Sequence, residues 1–161
     1  MPAALTIRDY TPADEAALLD LVRQLQVHEG QVYDRMKRPE EIGPWYIRGL
    51  ETQCAESAGR ILVGVSEAKV VAYATILTRV ENDSIDEVPN TYALVGDLAV
   101  TQARRGEGIG KAMLAECERI AQAAGARWLR INALARNTQA RATYRTYGFD
   151  ELFTGFEKAL G

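Results

Sequence analysis

A glycine-rich segment between a predicted strand and a predicted helix constrains this chain more than any other feature. The run Arg105-Gly106-Glu107-Gly108-Ile109-Gly110 follows a β-rich stretch and precedes an amphipathic one. Free backbone N–H groups and the positive end of the helix dipole meet at such a junction, which suits a phosphate. Glycine allows unusual backbone angles there and close approach of a pyrophosphate, which a Cβ would obstruct. The segment therefore predicts a phosphate cradle.

Spacing distinguishes the nucleotide-binding motifs that use glycines in this way. A P-loop needs GxxxxGK[ST], but Arg105 stands where the first glycine belongs and Ala112 where the hydroxyl belongs. A dinucleotide fingerprint needs GxGxxG, whereas Gly106, Gly108 and Gly110 give GxGxG. A glycine-rich turn without a function is the remaining alternative, although a plain strand-to-helix connection seldom needs three glycines. The pattern that fits is RxxGxG, filled by Arg105, Gly108 and Gly110.

Hydrophobic periodicity predicts the elements around this segment, and their order is that of a mixed α+β sheet with helices on its faces. Strands are expected at residues 5–8, 60–65, 70–77, 91–100 and 128–131, and helices after Thr11, within 29–56, over 109–124 and over 137–147. The second and third strands are expected to form an antiparallel hairpin. Gly125 and Gly148 are expected to end the last two helices. Residues 149–158 predict closing strand structure.

Length and composition bound the kind of protein. The 161 residues fit a single domain, and a net charge of −3 offers no basic field for nucleic acid, so no nucleic-acid partner is expected. The sequence shows neither a signal-peptide pattern nor a run of about 18 apolar residues, so we expect a cytoplasmic protein with no membrane partner. Cys54 and Cys117 lie far apart and His28 is the only histidine, which predicts neither a disulfide framework nor a metal site.

A second motif stands downstream of the glycines. Residues 137–149 follow the pattern NxxAxxxYxxxGF without a gap, with Tyr144 at its tyrosine. Together with RxxGxG and the preceding Gly96-Asp97-Leu98-Ala99-Val100, this motif resembles the GNAT superfamily of N-acetyltransferases. The resemblance is specific over residues 91–149, whereas the first 80 residues agree only in the order of strands and helices. It implies a single GNAT-like domain with a mixed, mostly antiparallel central sheet flanked by helices.

The resemblance also implies a co-substrate, acetyl-CoA, and the residues that bind it, without a metal. The pantetheine arm is expected along the backbone of Leu98, Ala99 and Val100, which in relatives splays from the next strand. Asn137 is expected to hydrogen-bond the arm, with a role as helix N-cap as the alternative. The residues expected at the pyrophosphate are Arg105, Gly106, Glu107, Gly108, Ile109, Gly110 and Lys111.

Amide formation from a thioester needs a neutral amine, and deprotonating a lysine-like amine of pKa ~10.4 costs roughly 4.6 kcal/mol at pH 7. Tyr144 occupies the family's position for the acid that protonates the departing thiolate, and packing under the helix is its alternative role. Asp97 is the candidate base. The alternatives for the base lie on the loop before that strand, which also has the character of a solvated acidic loop: Glu81, Asp83, Asp86 and Glu87.

The resulting hypothesis is an acyltransferase that acetylates a primary amine of a small molecule, such as a polyamine, an aminoglycoside or an amino acid, or of a protein. Transfer is expected by direct attack within a ternary complex. The alternative is a non-catalytic acyl-CoA sensor or interaction module on the same fold, and another acyl donor stays open. Relatives are often dimers, so a homodimer with the C-terminal strands as contact edges is expected. His28 falls where similar proteins shape the acceptor pocket. Trp45, Tyr46 and Tyr73 are further candidates for lining that pocket, although core packing explains these aromatic residues as well.

Overall fold

The computed structural model describes residues 4–161, within which five strands and four helices form one sheet flanked by helical layers. The strands are β1 (Thr6–Asp9), β2 (Arg60–Ser66), β3 (Lys69–Asn82), β4 (Asn90–Val100) and β5 (Leu129–Ile131), and the helices are α1 (Glu15–Gly30), α2 (Pro44–Glu56), α3 (Ile109–Ala123) and α4 (Thr138–Tyr147). Short 3-10 turns lie at Pro12–Asp14, Pro39–Glu41 and Gln102–Arg104. In this described part of the chain, no helix combines the length and apolar character that crossing a membrane requires.

The sheet has the strand order β1-β2-β3-β4-β5. The first four strands pair antiparallel with their neighbours, and only β4 and β5 pair parallel. Parallel neighbours need a crossover connection, which α3 supplies between β4 and β5. The mixed, mostly antiparallel sheet predicted from the sequence is thereby confirmed.

The side chains of the central strand β3 alternate between two apolar cores. Ala72, Ala74 and Ile76 face the core that α3 covers, whereas Tyr73 and Leu77 face the core that α1 and α2 cover. This alternation follows from the two-residue repeat of a strand, and it requires a strand that is apolar on both faces. The sheet is therefore a fixed partition between the α3 layer and the α1–α2 layer.

Most predicted boundaries match the structure. β2 and β3 form the expected hairpin around a turn at Glu67 and Ala68, both of which have positive φ. Gly125 and Gly148 follow the ends of α3 and α4 with φ of 79° and 119°, the left-handed conformation that ends a helix. The segment 29–56 contains the end of α1 and a helix that begins at Pro44, where proline suits the first turn.

The prediction of closing strands at residues 149–158 is wrong. No residue after α4 pairs with the sheet, and the segment is held by side chains instead. Glu151 pairs with Arg141 and Arg145 of α4. The Cζ atom of Arg130 lies 5.3 Å from the ring centroid of Phe153. These contacts stabilise the segment near α4 without backbone pairing. The expectation of dimer contacts through C-terminal strands loses its basis, and the homodimer itself stays a prediction.

An ion pair fixes the start of α1 against β1. Arg8 donates two hydrogen bonds to the carboxylate of Asp14, at 2.7 and 2.9 Å, and the backbone N–H of Thr11 donates a third at 2.9 Å. The Asp14 side chain is nearly buried, whereas Arg8 is about half exposed. The hydrogen bond from Arg8 is the main cause that lowers the pKa of Asp14 from 3.8 to about 2.

We expect Asp14→Asn to lower the free energy of unfolding at neutral pH by about 1–2 kcal/mol, because it removes the charge that Arg8 binds. A lowered folded-state pKa contributes stability above the unfolded pKa of 3.8, and that contribution is lost as the pH falls toward 2. Urea denaturation at neutral pH and near pH 3 measures both. A difference between variant and parent that is equally large at both pH values would contradict this account.

Candidate active site

The glycine segment forms an open cradle at the start of α3. Gly106 and Gly108 have φ of 82° and 83°, a conformation that L side chains rarely adopt, and a Cβ at either would meet no protein atom within 4 Å. The first hydrogen bond of the helix runs from the N–H of Ala112 to the carbonyl of Gly108, at 3.1 Å. The N–H groups of Ile109 to Lys111 therefore have no intrahelical acceptor, which leaves donors at the positive end of the helix dipole.

The cradle continues into a cleft because β4 and β5 pair over only three residues. Their parallel register ends at Val95 and Ile131, so the following part of β4, residues 96–100, has no partner on the β5 side. We call the resulting cavity of about 380 Å³ the cradle cleft. Its lining includes Leu98, Ala99, Val100, Arg105, Gly106, Gly108, Ile109, Gly110, Lys111, Asn137 and Tyr144, together with His28 and Glu29 of α1. The structure thus places the unpaired edge of β4 and the cradle in one cavity.

Of the residues predicted from the sequence at the coenzyme, Glu107 alone does not line the cradle cleft. Its carboxylate accepts a hydrogen bond at 2.8 Å from Nε of Arg104, which does line the cleft. Arg105 lines the cleft, and its Nε donates to the carbonyl of Val100 at 3.1 Å. This bond ties the glycine segment back to the end of β4.

Helix α4 supplies the two polar side chains on the other side of the cleft. Asn137 caps the helix, because its Oδ1 accepts the N–H of Ala140 at 3.2 Å. Its side-chain N–H groups make no hydrogen bond with the described residues, so they are available to a ligand. The hydroxyl of Tyr144 likewise has no partner in residues 4–161, and its ring packs edge-on against Phe149 at 6.1 Å. Burial, followed by the charge of Glu29, raises the pKa of Tyr144 to about 12.

A β-bulge in β4 directs Asp97 away from the regular strand pattern. Ala74 pairs with Leu98 and Ile76 with Val95, so two residues of β4 lie opposite Thr75 alone. The hydroxyl of Thr75 accepts the N–H of Asp97 at 2.8 Å. Gly96 has to be small at this point, because a Cβ there would lie 2.7 Å from that hydroxyl oxygen.

Two tyrosine hydroxyls donate hydrogen bonds to the Asp97 carboxylate. The hydroxyls of Tyr46 on α2 and Tyr73 on β3 each donate to Oδ2 at 2.9 Å, while Oδ1 has no donor among the described residues. Burial raises the pKa of Asp97, and the two phenol hydrogen bonds act in the opposite direction. The same burial, with the charge of Asp97, raises the pKa of Tyr46 and of Tyr73, so both phenols keep their protons.

Asp97 faces a second cavity of about 370 Å³, which we call the carboxylate cavity. Its lining includes Leu25, Glu29, Arg35, Met36, Lys37, Ile42, Trp45, Tyr46, Asp97, Leu98, Asn132 and Tyr144. Leu25, Glu29, Leu98, Asn132 and Tyr144 line the cradle cleft as well, so the two cavities meet at these residues. A molecule in the cradle cleft and one in the carboxylate cavity would therefore lie against the same residues, Tyr144 among them.

Glu29 is a site residue to which the sequence analysis assigned no chemical role. It is half-buried in the last turn of α1, and its carboxylate makes no hydrogen bond or ion pair within residues 4–161. Burial raises the pKa of Glu29, and the negative charge of Asp97 adds to the effect. An anionic side chain is disfavoured at the C-terminal end of a helix, where the dipole is negative. That local mismatch is the one sequence signal that could have indicated a function for Glu29.

The other residues predicted from the sequence differ in whether they line one of the two cavities. None of the four carboxylates of the loop at residues 81–87 lines either cavity, and three of them bond to neighbours on their own hairpin, which matches a solvated acidic loop. His28 lines the cradle cleft rather than the carboxylate cavity. Trp45 and Tyr46 line the carboxylate cavity, whereas Tyr73 is fully buried and reaches it only through Asp97.

Neither cysteine lies in the site. Cys54 and Cys117 are buried free thiols in the two apolar cores. Burial, with a neighbouring glutamate, raises the pKa of Cys54 to about 11 and that of Cys117 to about 12, so neither is a thiolate near neutral pH. The described residues hold no group of three or more histidine, cysteine, aspartate or glutamate side chains placed for a metal ion, and the metal-free expectation stays a prediction.

Comparison with known proteins agrees with this geometry. The sequence matches the model of the acetyltransferase (GNAT) family over residues 29–149, which is more than half of the chain. Among curated proteins, none matches the sequence significantly.

Similar solved structures show the same fold. An engineered form of a Bacillus halodurans protein has a TM-score of 0.85 at 21% identity, over 96% of this chain and 99% of that one. An aminoglycoside antibiotic 6'-N-acetyltransferase from Acinetobacter haemolyticus has a TM-score of 0.70 at 16% identity, over 97% and 99%. An acetyltransferase from Trypanosoma brucei has a TM-score of 0.66 at 14% identity, over 98% and 100%. At these identities the likeness concerns the fold.

We expect Gly96→Ala to lower the free energy of unfolding by about 1–3 kcal/mol, because its Cβ would clash with the hydroxyl of Thr75. Adding Thr75→Ala removes that hydroxyl, so the double variant should lose less than the sum of the single variants. Gly49→Ala is the matched control, since Gly49 is exposed in α2 with open space around its Cβ position. Urea denaturation measures the parent and the four variants, with Thr75→Ala alone among them. Equal tolerance of alanine at both glycines would contradict the role of the bulge.

Proposed function

Because the chain belongs to the GNAT acetyltransferase family, we propose that it transfers the acetyl group of acetyl-CoA to a primary amine of a small molecule. The observation that carries this proposal is the junction of the two cavities at Tyr144. The cradle cleft has the groups that a coenzyme A pyrophosphate and pantetheine arm require, and it opens at one point onto a separate cavity lined by carboxylates. A thioester at that point would meet an amine from the other side.

The coenzyme would bind mainly to backbone groups. The N–H groups at the start of α3 would bind the pyrophosphate, with Arg105 and Lys111 adding positive charge. The unpaired edge of β4 would bond the pantetheine arm as a short additional strand, which explains why Leu98, Ala99 and Val100 can be apolar and still serve the ligand. Asn137 can bond the arm through its free N–H groups while its oxygen caps α4.

The transfer would proceed by direct attack rather than through an acyl-enzyme. A covalent route needs a reactive nucleophile at the thioester, and both thiols are buried in apolar cores with raised pKa values. The cavities instead offer positions for two substrates at once. Holding the amine and the thioester side by side supplies much of the rate enhancement through proximity alone.

The reaction balances with the groups present. The acceptor ammonium loses one proton to a carboxylate of the carboxylate cavity, and its nitrogen lone pair forms a bond to the thioester carbon. The C–S bond breaks, the thiolate leaves with the electron pair, and a second proton passes from the nitrogen to the sulfur by way of the Tyr144 hydroxyl. Asp97, the base predicted from the sequence, and Glu29 are the carboxylates that the cavity offers.

Tyr144 would act mainly as a hydrogen-bond donor to the leaving sulfur. A phenol of pKa about 12 keeps its proton at neutral pH, but it is a weaker acid than the unperturbed value of ~10 suggests. Proton release to a thiolate of pKa ~8.5 is therefore uphill unless the phenol receives a proton from the nitrogen at the same time. The relay through its hydroxyl meets that requirement.

We expect Tyr144→Phe to change the Kd for acetyl-CoA by less than about twofold and to lower kcat about a hundredfold, because it removes only the hydroxyl. Calorimetry measures the binding, and release of free thiol measures the turnover. Tyr147→Phe is the matched control, since Tyr147 lies one turn later and donates to Glu118 at 2.6 Å, outside both cavities. Its kcat should stay near that of the parent.

Unchanged turnover in Tyr144→Phe would exclude Tyr144 from the mechanism. Saturable binding of acetyl-CoA by the parent protein without thiol release, across polyamines, aminoglycosides, amino acids and peptides, would favour the non-catalytic sensor or interaction module instead.

A further inference from the structure

Two carboxylates face the carboxylate cavity without a cationic partner. Oδ1 of Asp97 and the whole carboxylate of Glu29 have no donor within residues 4–161. Arg35 and Lys37 line the same cavity, but Arg35 pairs with Glu157 at 2.5 Å, and within residues 4–161 neither forms an ion pair with Glu29 or Asp97. Paired, uncompensated negative charge in a partly buried site is costly, and a cationic ligand relieves it.

The two carboxylates occupy different places in the site. Glu29 lines both cavities, so it lies at the junction where the thioester would be under the proposed function. Asp97 lines the carboxylate cavity alone. A base has to reach the proton of the attacking amine, and this geometry favours Glu29 over Asp97 for that step.

Their hydrogen bonds support the same division. Tyr46 and Tyr73 both donate to Asp97, and such bonds stabilise the ionised form of a carboxylate. Glu29 has no such bonds, so burial and the nearby charge of Asp97 raise its pKa without opposition. Burial raises the pKa of Asp97 as well, so the division rests on geometry: Glu29 is free to accept a proton at the junction, whereas the two phenol hydrogen bonds hold Asp97 in one orientation.

Building on the proposed function, we propose that the acceptor is a small aliphatic diamine, whose reacting amine binds at Glu29 and whose second ammonium group binds at Asp97. The reacting ammonium gives one proton to Glu29, which becomes a carboxylic acid and releases the proton to solvent after the product leaves. Once Glu29 is protonated, Asp97 is the remaining negative charge in the cavity, and the second ammonium group of the diamine neutralises it. A monoamine would leave that charge without a partner.

The walls of the cavity suit such a chain. Its volume of about 370 Å³ is near the lower end of the ~300–1,000 Å³ typical of ligand sites. Leu25 and Met36 offer apolar surface for methylene groups. Trp45 and Tyr46 meet edge to face at 5.8 Å beside the cavity, and aromatic rings attract ammonium groups.

The test compares acceptors of equal length that differ only at the far end: 1,5-diaminopentane, 1-aminopentane and 5-aminopentanoate. Thiol release from acetyl-CoA should give a kcat/KM for the diamine at least about tenfold above that for the monoamine, with the amino acid lowest. Asp97→Asn should reduce kcat/KM for the diamine much more than for the monoamine, so that the ratio of the two values falls from at least about ten to about one. Glu29→Gln should lower kcat about a hundredfold on both amines.

Glu56→Gln is the control, because Glu56 is exposed at the end of α2 and lines neither cavity. Calorimetry with acetyl-CoA confirms that each variant is folded and binds the coenzyme. Equal use of the monoamine and the diamine, preference for the amino acid, or a loss on Asp97→Asn that is the same for both amines would overturn the proposal. Such results would not contradict the proposed acetyltransferase function. Binding of acetyl-CoA without turnover on any amine would contradict both the acetyltransferase function and the diamine acceptor.

Discussion

The site exists because the pairing between β4 and β5 stops after three residues. Parallel strands that stayed paired would satisfy the backbone of residues 96–100 and close the cleft. The separation leaves that edge free and makes room for Asn132 and for α4 to form the opposite wall. The cradle at the start of α3 follows directly from β4, so the free strand edge and the free helix N-terminus lie in the same cleft.

Electrostatics divides the site into two halves of opposite character. The cradle cleft has backbone N–H groups, Arg105 and Lys111, which suit an anionic ligand. The carboxylate cavity has Glu29 and Asp97, which suit a cation, and of the two basic residues in its lining, Arg35 and Lys37, Arg35 is paired with Glu157. An anionic coenzyme and a cationic amine would each be drawn to its own half and meet where the halves join. The cost of holding Asp97 in place is offset by two phenol hydrogen bonds and by the N–H bond that fixes the bulge.

The sequence predicted those parts of the site that depend on neighbouring residues in the chain. The cradle is such a part, because a strand, three glycines and a helix follow one another without interruption. The hairpin of β2 and β3 and the glycine stops after α3 and α4 are others. The proximity of Glu29 to Asp97 was not predictable, since it depends on how α1 packs across the sheet; the only local signal was an acidic residue at the C-terminal end of α1. The bulge at Asp97 could not be predicted either, because the need for a glycine at position 96 comes from Thr75 on another strand.

The failed prediction at residues 149–158 has a similar cause. An alternation of aromatic and polar residues is typical of a strand, but the pattern does not say whether an edge is available for pairing. Here Glu151 and Phe153 make side-chain contacts with α4 and Arg130 instead. Tyr144 shows the same limit. Its position in the motif could be identified from the sequence, but the burial that raises its pKa could not.

The most direct test of the central claim is a calorimetric titration of acetyl-CoA into the folded protein, with S-acetylpantetheine, which lacks the pyrophosphate, as the comparison ligand. A cradle that binds the pyrophosphate predicts one saturable site for acetyl-CoA, with a Kd between micromolar and millimolar, and much weaker binding of S-acetylpantetheine. Absence of saturable heat with acetyl-CoA, or equal affinity for the two ligands, would contradict the account.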